Sequence, residues 1–309
     1  MAAKYYIGID MGGTHSAIAL VKGLNIVDKS EFATSISRGI DNYVDRLKEA
    51  FEEMLERNGL SHGDIISVGM GVPGSVNLDT GMVEYANNLG FNNVPFRDMV
   101  SDALGIPVTL DNDANLAAYG EFLLSKSHAK SFLMVTLGTG IGAGIILDGE
   151  IYRGVNFAEG EIGHMTIKYD GITCNCGRKG CFEAYASAKA LVKMACDAMQ
   201  SHPECSLWKS SKIDGKAVFA AIEQGDPVIK NVMNEYTFLL SEGLLNIINI
   251  FQPEEIAIGG GISARADLFL PDVIERVKQK VYSRDSKKNT IIRAAQYGND
   301  CGLIGAARI

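Results

Sequence analysis

One histidine and three cysteines lie close together in the middle of the chain. His164 is followed by Cys174, Cys176 and Cys181, so the four side chains fall within eighteen positions. A Cys₃His set is typical of a tetrahedral structural zinc site, in which the protein fills all four coordination positions. Because no position is left for water, we expect this Zn²⁺ to hold the fold rather than to generate hydroxide. Free cysteines in a loop are the alternative interpretation.

Two glutamates flank these residues. Glu161 comes three positions before His164, and Glu183 comes two positions after Cys181. A bound zinc would hold the two carboxylates near each other, and carboxylates can accept hydrogen bonds from adjacent sugar hydroxyls. Surface glutamates without such a role are the alternative.

Two glycine- and threonine-rich turns each separate a pair of short apolar runs. They are Gly12-Gly13-Thr14 and Gly138-Thr139-Gly140. Glycine permits positive φ and lets backbone N–H groups approach a phosphate closely, and the threonine hydroxyls add donors. Asp10 stands just before the first turn, where it could hold Mg²⁺ through water. Two tight hairpins with no ligand are the alternative, but the pair of turns together with Asp10 favours phosphate binding.

A third group of polar residues follows an apolar strand at 107–110 and precedes a helix at 116–124. Asp111, Asp113 and Asn115 resemble the start of a calcium loop, but the glycine and glutamate that such a loop needs later are missing. Asp113 is either the N-cap of the helix or a general base at the end of a strand. Phosphoryl transfer to an alcohol needs such a carboxylate to orient the hydroxyl and take its proton.

Two common nucleotide-binding motifs can be set aside. The chain has no Walker A sequence, so it is not a P-loop enzyme. The stretch 69–74 formally matches G-x-G-x-x-G, but the residues after it do not open a helix, which argues against a Rossmann cofactor site. A substrate-facing loop is the better interpretation of this stretch.

The order of the elements predicts an α/β fold with mixed sheets. A strand ending at Asp10 and a strand at 16–21 surround the first turn, and strands at 132–136 and 143–147 surround the second. Both halves of the chain thus open with a strand, a Gly/Thr turn and a strand, which indicates a weak internal duplication. A chain of 309 residues is also long enough for two packed domains.

Composition argues against several classes of protein. The net charge is −8 and no dense Lys/Arg cluster occurs, so no nucleic-acid partner is expected. The longest uncharged run, 132–147, is too short to span a membrane, and the N-terminus lacks a secretory signal. We therefore expect a cytoplasmic protein with reduced thiols, in which clustered cysteines bind metal.

Taken together, these segments resemble the ROK family of sugar kinases and repressors over nearly the whole chain. The cysteine segment is the most specific part of the resemblance. The matching motifs, in order, are Asp10-x-Gly12-Gly13-Thr14, Asn112-Asp113-Ala114-Asn115, Leu137-Gly138-Thr139-Gly140-x-Gly142, Glu161-x-Gly163-His164, Cys174-x-Cys176-Gly177-x-x-Gly180-Cys181-x-Glu183 and Gly259-Gly260-Gly261.

The resemblance implies an actin-like (ribonuclease H-like) ATPase fold of two domains with ATP in the cleft between them. We expect a smaller N-terminal domain at 1–117 plus 298–309, and a larger domain with the zinc site at 118–297. By resemblance, Asp113 is the catalytic base and His164 serves zinc and sugar through different ring nitrogens. The residues expected to contact sugar are Gly74, Asn87 or Asn88, Asn112, Asp113, Glu161, His164 and Glu183, with Pro73 beside them. The two turns are expected to hold the phosphates of Mg-ATP. Near the adenosine we expect Gly259, Gly260 and Gly261.

The family also implies the reaction. We expect ATP-dependent phosphorylation of a hexose at its primary 6-hydroxyl, with glucose favoured because Asn87-Asn88-Leu89-Gly90 and the complete cysteine segment look like the glucokinase branch. Fructose, mannose, allose and N-acetylmannosamine remain open. A sugar-sensing regulator and an ATPase that acts on proteins are rivals from other classes. ROK repressors carry an N-terminal DNA-binding extension that this sequence does not show, and the family implies a homodimer or a tetramer.

Overall fold

The computed structural model describes residues 4–86 and 89–309 of a mixed α/β protein. Its strands are β1 (Tyr5–Met11), β2 (His15–Lys22), β3 (Asn25–Ala33), β4 (Ile65–Val72), β5 (Ser75–Asn77), β6 (Met82–Ala86), β7 (Phe91–Val94), β8 (Val108–Asn112), β9 (Ser131–Leu137), β10 (Ile141–Leu147), β11 (Glu150–Ile151), β12 (Glu255–Gly259) and β13 (Ile291–Ala294). Its α-helices are α1 (Ile40–Arg57), α2 (Phe96–Leu104), α3 (Asp113–Leu124), α4 (Glu183–Ala186), α5 (Ala188–Ser201), α6 (Gly215–Glu223), α7 (Pro227–Phe251), α8 (Leu270–Lys280) and α9 (Asp300–Ala306).

The first five-stranded sheet brings the carboxyl ends of three parallel strands to one edge. Its strand order is β3-β2-β1-β4-β8, in which β1, β4 and β8 are parallel and the β1–β2–β3 ladder is antiparallel. Across the parallel strands Asp10 is in register with Gly71, and Gly71 with Asp111. Because parallel strands end at the same edge of a sheet, the Asp10 and Asp113 segments must lie close together.

The second five-stranded sheet has the order β11-β10-β9-β12-β13. As in the first sheet, three strands that are consecutive in the chain lie beside two strands from later in the chain. The strands β9, β12 and β13 are parallel, and Gly259 is in register with Thr136. The turn after β9 and the glycines after β12 therefore lie at one edge of this sheet. The two sheets have the repeated design that the sequence predicts. Strands β5, β6 and β7 form a third, antiparallel sheet.

The described residues form two compact units. The first runs up to His128 and takes in Gly144–Glu159 and Asn299–Ile309; the second consists of Ala129–Ala143 and Gly160–Gly298. The first unit thus includes 118–128 and 144–159, which the predicted boundaries assign to the larger domain. The predicted boundary at residue 117 falls inside α3, whereas the first unit contains the whole of that helix.

Close backbone packing fixes α3 and α9 in the first unit. A Cβ atom on Gly8 of β1 would overlap the carbonyl oxygen of Leu303, and one on Gly120 of α3 would overlap the carbonyl oxygen of Cys301. Glycine is therefore needed at both positions for steric reasons, since α9 lies directly against the sheet and against α3. This packing holds the helix that begins at Asp113.

The long helix α7 forms the centre of the second unit. Asp226 caps its N-terminus, Pro227 occupies its first turn, and the left-handed Gln252 ends it just before Pro253. The helical pattern of the sequence predicts a helix over 228–251, which agrees with the observed bounds to within one residue. Within 4–86 and 89–309, none of the helices combines the length and the apolar character that crossing a membrane requires.

Candidate functional site

Asp113 lies at the junction between β8 and α3. The strand continues to Asn112 and the helix begins at the next residue, so no loop separates them. The N-cap is Asn112, whose side-chain oxygen accepts hydrogen bonds from Ala114 N at 2.9 Å and Asn115 N at 3.3 Å. The interpretation of Asp113 as the N-cap is therefore wrong. Asp113 stands in the first turn, where the positive end of the helix dipole stabilises a carboxylate.

Asp10 lies near Asp113 at the same sheet edge. Burial, together with the negative charge of Asp113, raises the pKa of Asp10 to about 6, and Lys29 partly offsets this. Gly71 lies between the two residues, since a Cβ there would be 3.4 Å from Asp113 Cα and 3.8 Å from Asp10 Oδ1. Two carboxylates that disfavour each other's charge suit a divalent cation, and oxygen ligands are those that Mg²⁺ prefers.

The first Gly/Thr turn, 12–14, joins β1 to β2. Gly12 N donates a hydrogen bond to His15 O at 3.0 Å, and a Cβ on Gly12 would lie only 2.6 Å from that oxygen. Gly12, Gly138 and Gly140 do not adopt positive φ. At Gly12, close packing is the reason for glycine.

The predicted sugar residues of the first unit come together at Asn112. Its side-chain Nδ2 donates to Gly74 O at 3.0 Å. Gly74 has φ of 99° and packs against Tyr85 O and Ala86, so a side chain there would clash as well as strain the backbone. The predicted contact Asn87, like its neighbour Asn88, lies outside the described residues.

A buried polar cluster that the sequence does not reveal supports this junction. Asp111 is 3 % exposed, and its Oδ2 accepts hydrogen bonds from Arg153 Nε and Nη2, both at 2.8 Å. Asn115 Nδ2 donates to Asp111 Oδ1 at 3.1 Å and to Glu159 Oε1 at 2.7 Å. Burial raises the pKa of Glu159. The cluster fixes the carboxyl end of β8 immediately before Asn112.

We expect Arg153→Met to lower the free energy of unfolding by about 3 kcal/mol, because it leaves the Asp111 carboxylate buried without its cation. The matched control is Arg57→Met at the exposed pair with Asp28, where the side chains are 47 % and 22 % exposed and the loss should be below about 1 kcal/mol. Urea titration followed by circular dichroism measures both. Equal losses in the two variants would contradict a structural role for the Asp111–Arg153 pair.

The histidine and the three cysteines form one cluster in the second unit. The ligand atoms of His164, Cys174, Cys176 and Cys181 all lie within 4.8 Å of one another. Cys176 Sγ is 3.6 Å from Cys181 Sγ, and Cys174 Sγ is 3.7 Å from His164 Nδ1. Ligands of a tetrahedral zinc with Zn–S bonds of about 2.3 Å are about 3.7 Å apart, so the spacing fits such an ion.

Tight turns bring the cysteines together. Cys174 N donates to Arg178 O at 2.8 Å and Gly177 N donates to Cys174 O at 3.0 Å, with Gly177 at φ 87°. Burial and the neighbouring thiols raise the pKa of Cys181 to about 12. The Cys181 thiol therefore does not readily ionise by itself, and a bound cation would reverse that preference.

His164 presents its two ring nitrogens to different neighbours. Nδ1 faces Cys174, whereas Nε2 is 3.7 Å from Glu161 Oε2. Glu161 has a largely exposed side chain. The geometry fits the prediction that one nitrogen binds the metal and the other serves a ligand beside Glu161.

Glu183 connects the cysteine segment to the second Gly/Thr turn. It is the first residue of α4, two positions after Cys181, and its Oε2 accepts a hydrogen bond from Ile141 N at 2.9 Å. A Cβ on Gly140 would overlap the same carboxylate oxygen. The carboxylate that the sequence predicts as a sugar ligand thus also contacts the backbone of the predicted phosphate turn.

The three glycines at the end of β12, 259–261, lie beside the second Gly/Thr turn. Gly260 has φ of 89°, and a Cβ there would overlap the backbone of Leu137, the residue before Gly138. Gly259 packs against Met134, whereas Gly261 faces open space. The backbone of 259–261 and the turn 138–140 therefore share one edge of the second sheet.

Each unit by itself contains several of the predicted site residues. The first brings together Asp10, Gly12, Gly13, Thr14, Gly74, Asn112 and Asp113; the second brings together Gly138, Thr139, Gly140, Glu161, His164, Cys174, Cys176, Cys181, Glu183, Gly259, Gly260 and Gly261. Sequence reasoning missed Arg153 and Glu159, because no local pattern marks either residue.

Known proteins resemble this chain over almost its full length. The ROK family model matches residues 6–309. A glucokinase of Halalkalibacterium halodurans is 36% identical over 99% of this chain and 94% of that protein. A xylose repressor of Caldicellulosiruptor bescii is 31% identical over 89% of this chain and 70% of that protein.

Among solved structures, a ROK family glucokinase of Streptomyces griseus in complex with glucose and AMPPNP matches with a TM-score of 0.85. It is 32% identical and covers 98% of each chain. The fold is therefore the actin-like ATPase fold, as the sequence predicts. The family match and the identity over the whole length lead to one conclusion: the chain belongs to the ROK family.

Proposed function

We propose that this chain is an ATP-dependent hexose kinase that converts glucose to glucose 6-phosphate. The observation that carries the proposal is the Asp113 carboxylate in the first turn of α3, beside Asp10 and next to Asn112. A base in this position suits transfer of a phosphoryl group to a hydroxyl. The similarity to glucokinases, one of them solved with glucose and an ATP analogue, supports glucose as acceptor and ATP as donor.

The proposed mechanism needs little covalent chemistry from the protein. Asn112, Glu161, His164 and Glu183 bind the sugar hydroxyls, and Asp113 accepts the proton of the primary hydroxyl as its oxygen attacks the γ-phosphorus of ATP. The bond from that phosphorus to the bridging oxygen breaks and ADP leaves. Backbone N–H groups at 13–14 and 139–140 stabilise the phosphate charge, while the backbone of 259–261 lies beside the adenosine.

Two metal ions belong to the proposal. Asp10 would hold Mg²⁺ through water, and the ion would neutralise charge on the phosphates, whereas Asp113 keeps its role as the base. Zn²⁺ fits the Cys₃His cluster as a structural ion, since four protein ligands leave no open position. In this account Zn²⁺ stabilises the segment that carries His164 and Glu183. The homodimer or tetramer and the cytoplasmic location stay predictions.

A sugar-responsive regulator is the second candidate, because xylose repressors are about as similar to this chain as several kinases are. Both would bind sugar, so turnover separates them. ADP release should be measured with glucose, fructose, mannose, allose and N-acetylmannosamine, each with Mg²⁺ and ATP. If the chain is a glucose kinase, we expect rapid turnover with glucose and slower turnover with the other four sugars. Sugar binding by calorimetry without ADP release for any sugar would support the regulator instead.

A further inference from the structure

A chain of buried hydroxyl groups lies beneath the first Gly/Thr turn. Thr34, which follows β3, donates from Oγ1 to Gly12 O at 2.7 Å. Ser16 Oγ lies 3.0 Å from Thr34 Oγ1, and Tyr43 OH donates to Ser16 Oγ at 3.2 Å. Thr34, Ser16 and Tyr43 are at most 1 % exposed, so none of them can contact a nucleotide directly.

The direction of these hydrogen bonds follows from proton counting. A hydroxyl group has one proton to donate, and Thr34 gives its proton to Gly12 O. Ser16 must therefore be the donor in its bond to Thr34, and Tyr43 is the donor to Ser16. All three hydroxyl protons point toward the turn, and such a directed chain strengthens its final bond.

The hydrogen bond from Thr34 Oγ1 to Gly12 O fixes the plane of the Gly12–Gly13 peptide. In a trans peptide the C=O and the following N–H point in opposite directions. Because Gly12 C=O points inward to Thr34, the Gly13 N–H must point outward, on the side where Gly13 and Thr14 are exposed. A peptide between two glycines is otherwise free to rotate, since no Cβ restricts it.

Thr34 also holds the far side of the same turn. Its backbone N donates to Thr14 O at 2.9 Å. The two bonds from Thr34 thus fix the carbonyl groups on either side of Gly13. We infer that Thr34 is a positioning residue, which holds the Gly12–Gly13 peptide with its N–H outward to donate to a phosphate of ATP. This inference rests on the proposed kinase function.

Thr34→Val tests the inference, because valine keeps the shape of the side chain and the backbone bond to Thr14 while it removes the hydroxyl. A hydrogen bond to a charged phosphate corresponds to about a 10- to 100-fold change in affinity, so KM for ATP should rise by about that factor. KM for glucose should stay within about twofold of the wild-type value. Thr34→Ser, which restores a hydroxyl, should recover most of the ATP affinity.

Tyr43→Phe is the control for a purely structural effect. It removes a buried hydroxyl from the same chain but leaves the Thr34–Gly12 bond in place. Both variants should lower Tm, whereas only Thr34→Val should raise KM for ATP strongly. The inference is overturned if folded Thr34→Val has an unchanged KM for ATP. It is also overturned if both variants raise KM for ATP in proportion to their loss of Tm. Absence of nucleotide binding and turnover in the wild type would instead overturn the proposed function.

Discussion

Asp113→Asn is expected to lower kcat for glucose phosphorylation by about 1,000-fold, within the range that general base catalysis contributes. Asparagine has the same shape and can occupy the same first-turn position, but it cannot accept the hydroxyl proton. The helix should remain intact, because its N-cap is Asn112 rather than Asp113. Steady-state kinetics with glucose and ATP, together with circular dichroism, measure both expectations.

Asp98→Asn is the matched control for this substitution. Asp98 also lies in the first turn of a helix, α2, but it is exposed and pairs only with the neighbouring Arg97 among the described contacts. We expect kcat to stay within about twofold of the wild-type value, because surface substitutions have small effects. If Asp113→Asn kept near-wild-type turnover, the assignment of Asp113 as base would fail.

Cys176→Ser is expected to abolish zinc binding and sugar binding together. Even loss of a hydrogen-bond partner of a metal ligand typically costs about 10- to 100-fold in metal affinity, and loss of a direct ligand costs more. Without the ion, the segment that carries His164 and Glu183 loses its fixed geometry. Zinc content by elemental analysis and glucose affinity by calorimetry should therefore fall in the same variant.

Cys196→Ser provides the control, since Cys196 lies in α5 and outside the Cys₃His cluster. It should retain about one zinc per chain and wild-type glucose affinity. Circular dichroism separates local loss of the site from global unfolding, and Cys174→Ser offers a second test if Cys176→Ser does not fold. A folded Cys176→Ser that still bound glucose with wild-type affinity would contradict the proposed link between the metal and the sugar site.

The sequence makes the metal cluster predictable because its ligands are close together along the chain. His164 and the three cysteines can be recognised from their spacing alone, and the turns at Gly177 and Gly180 complete the pattern. The α1 helix is predictable for a related reason, since its buried residues recur at helical spacing. In both cases local chemistry determines the structure.

Contacts between distant residues could not be predicted in this way. Arg153 reaches Asp111 across 42 positions, and Thr34 reaches Gly12 across 22. Neither contact leaves a periodic signal, because each depends on which strands become neighbours. The wrong N-cap assignment has a different cause: Asn112 and Asp113 are both good capping residues, and only the end point of β8 decides between them.

The most direct test of the proposed kinase activity is ³¹P NMR of the wild-type protein with Mg²⁺, ATP and either glucose or 6-deoxyglucose. We expect ATP to be converted to ADP with glucose, and one phosphate monoester to form at the primary hydroxyl for each ADP. With 6-deoxyglucose no ester should form, because the accepting hydroxyl is missing. Glucose binding without any phosphate ester, in a sample that contains zinc, would contradict the kinase function and favour a sugar-responsive regulator.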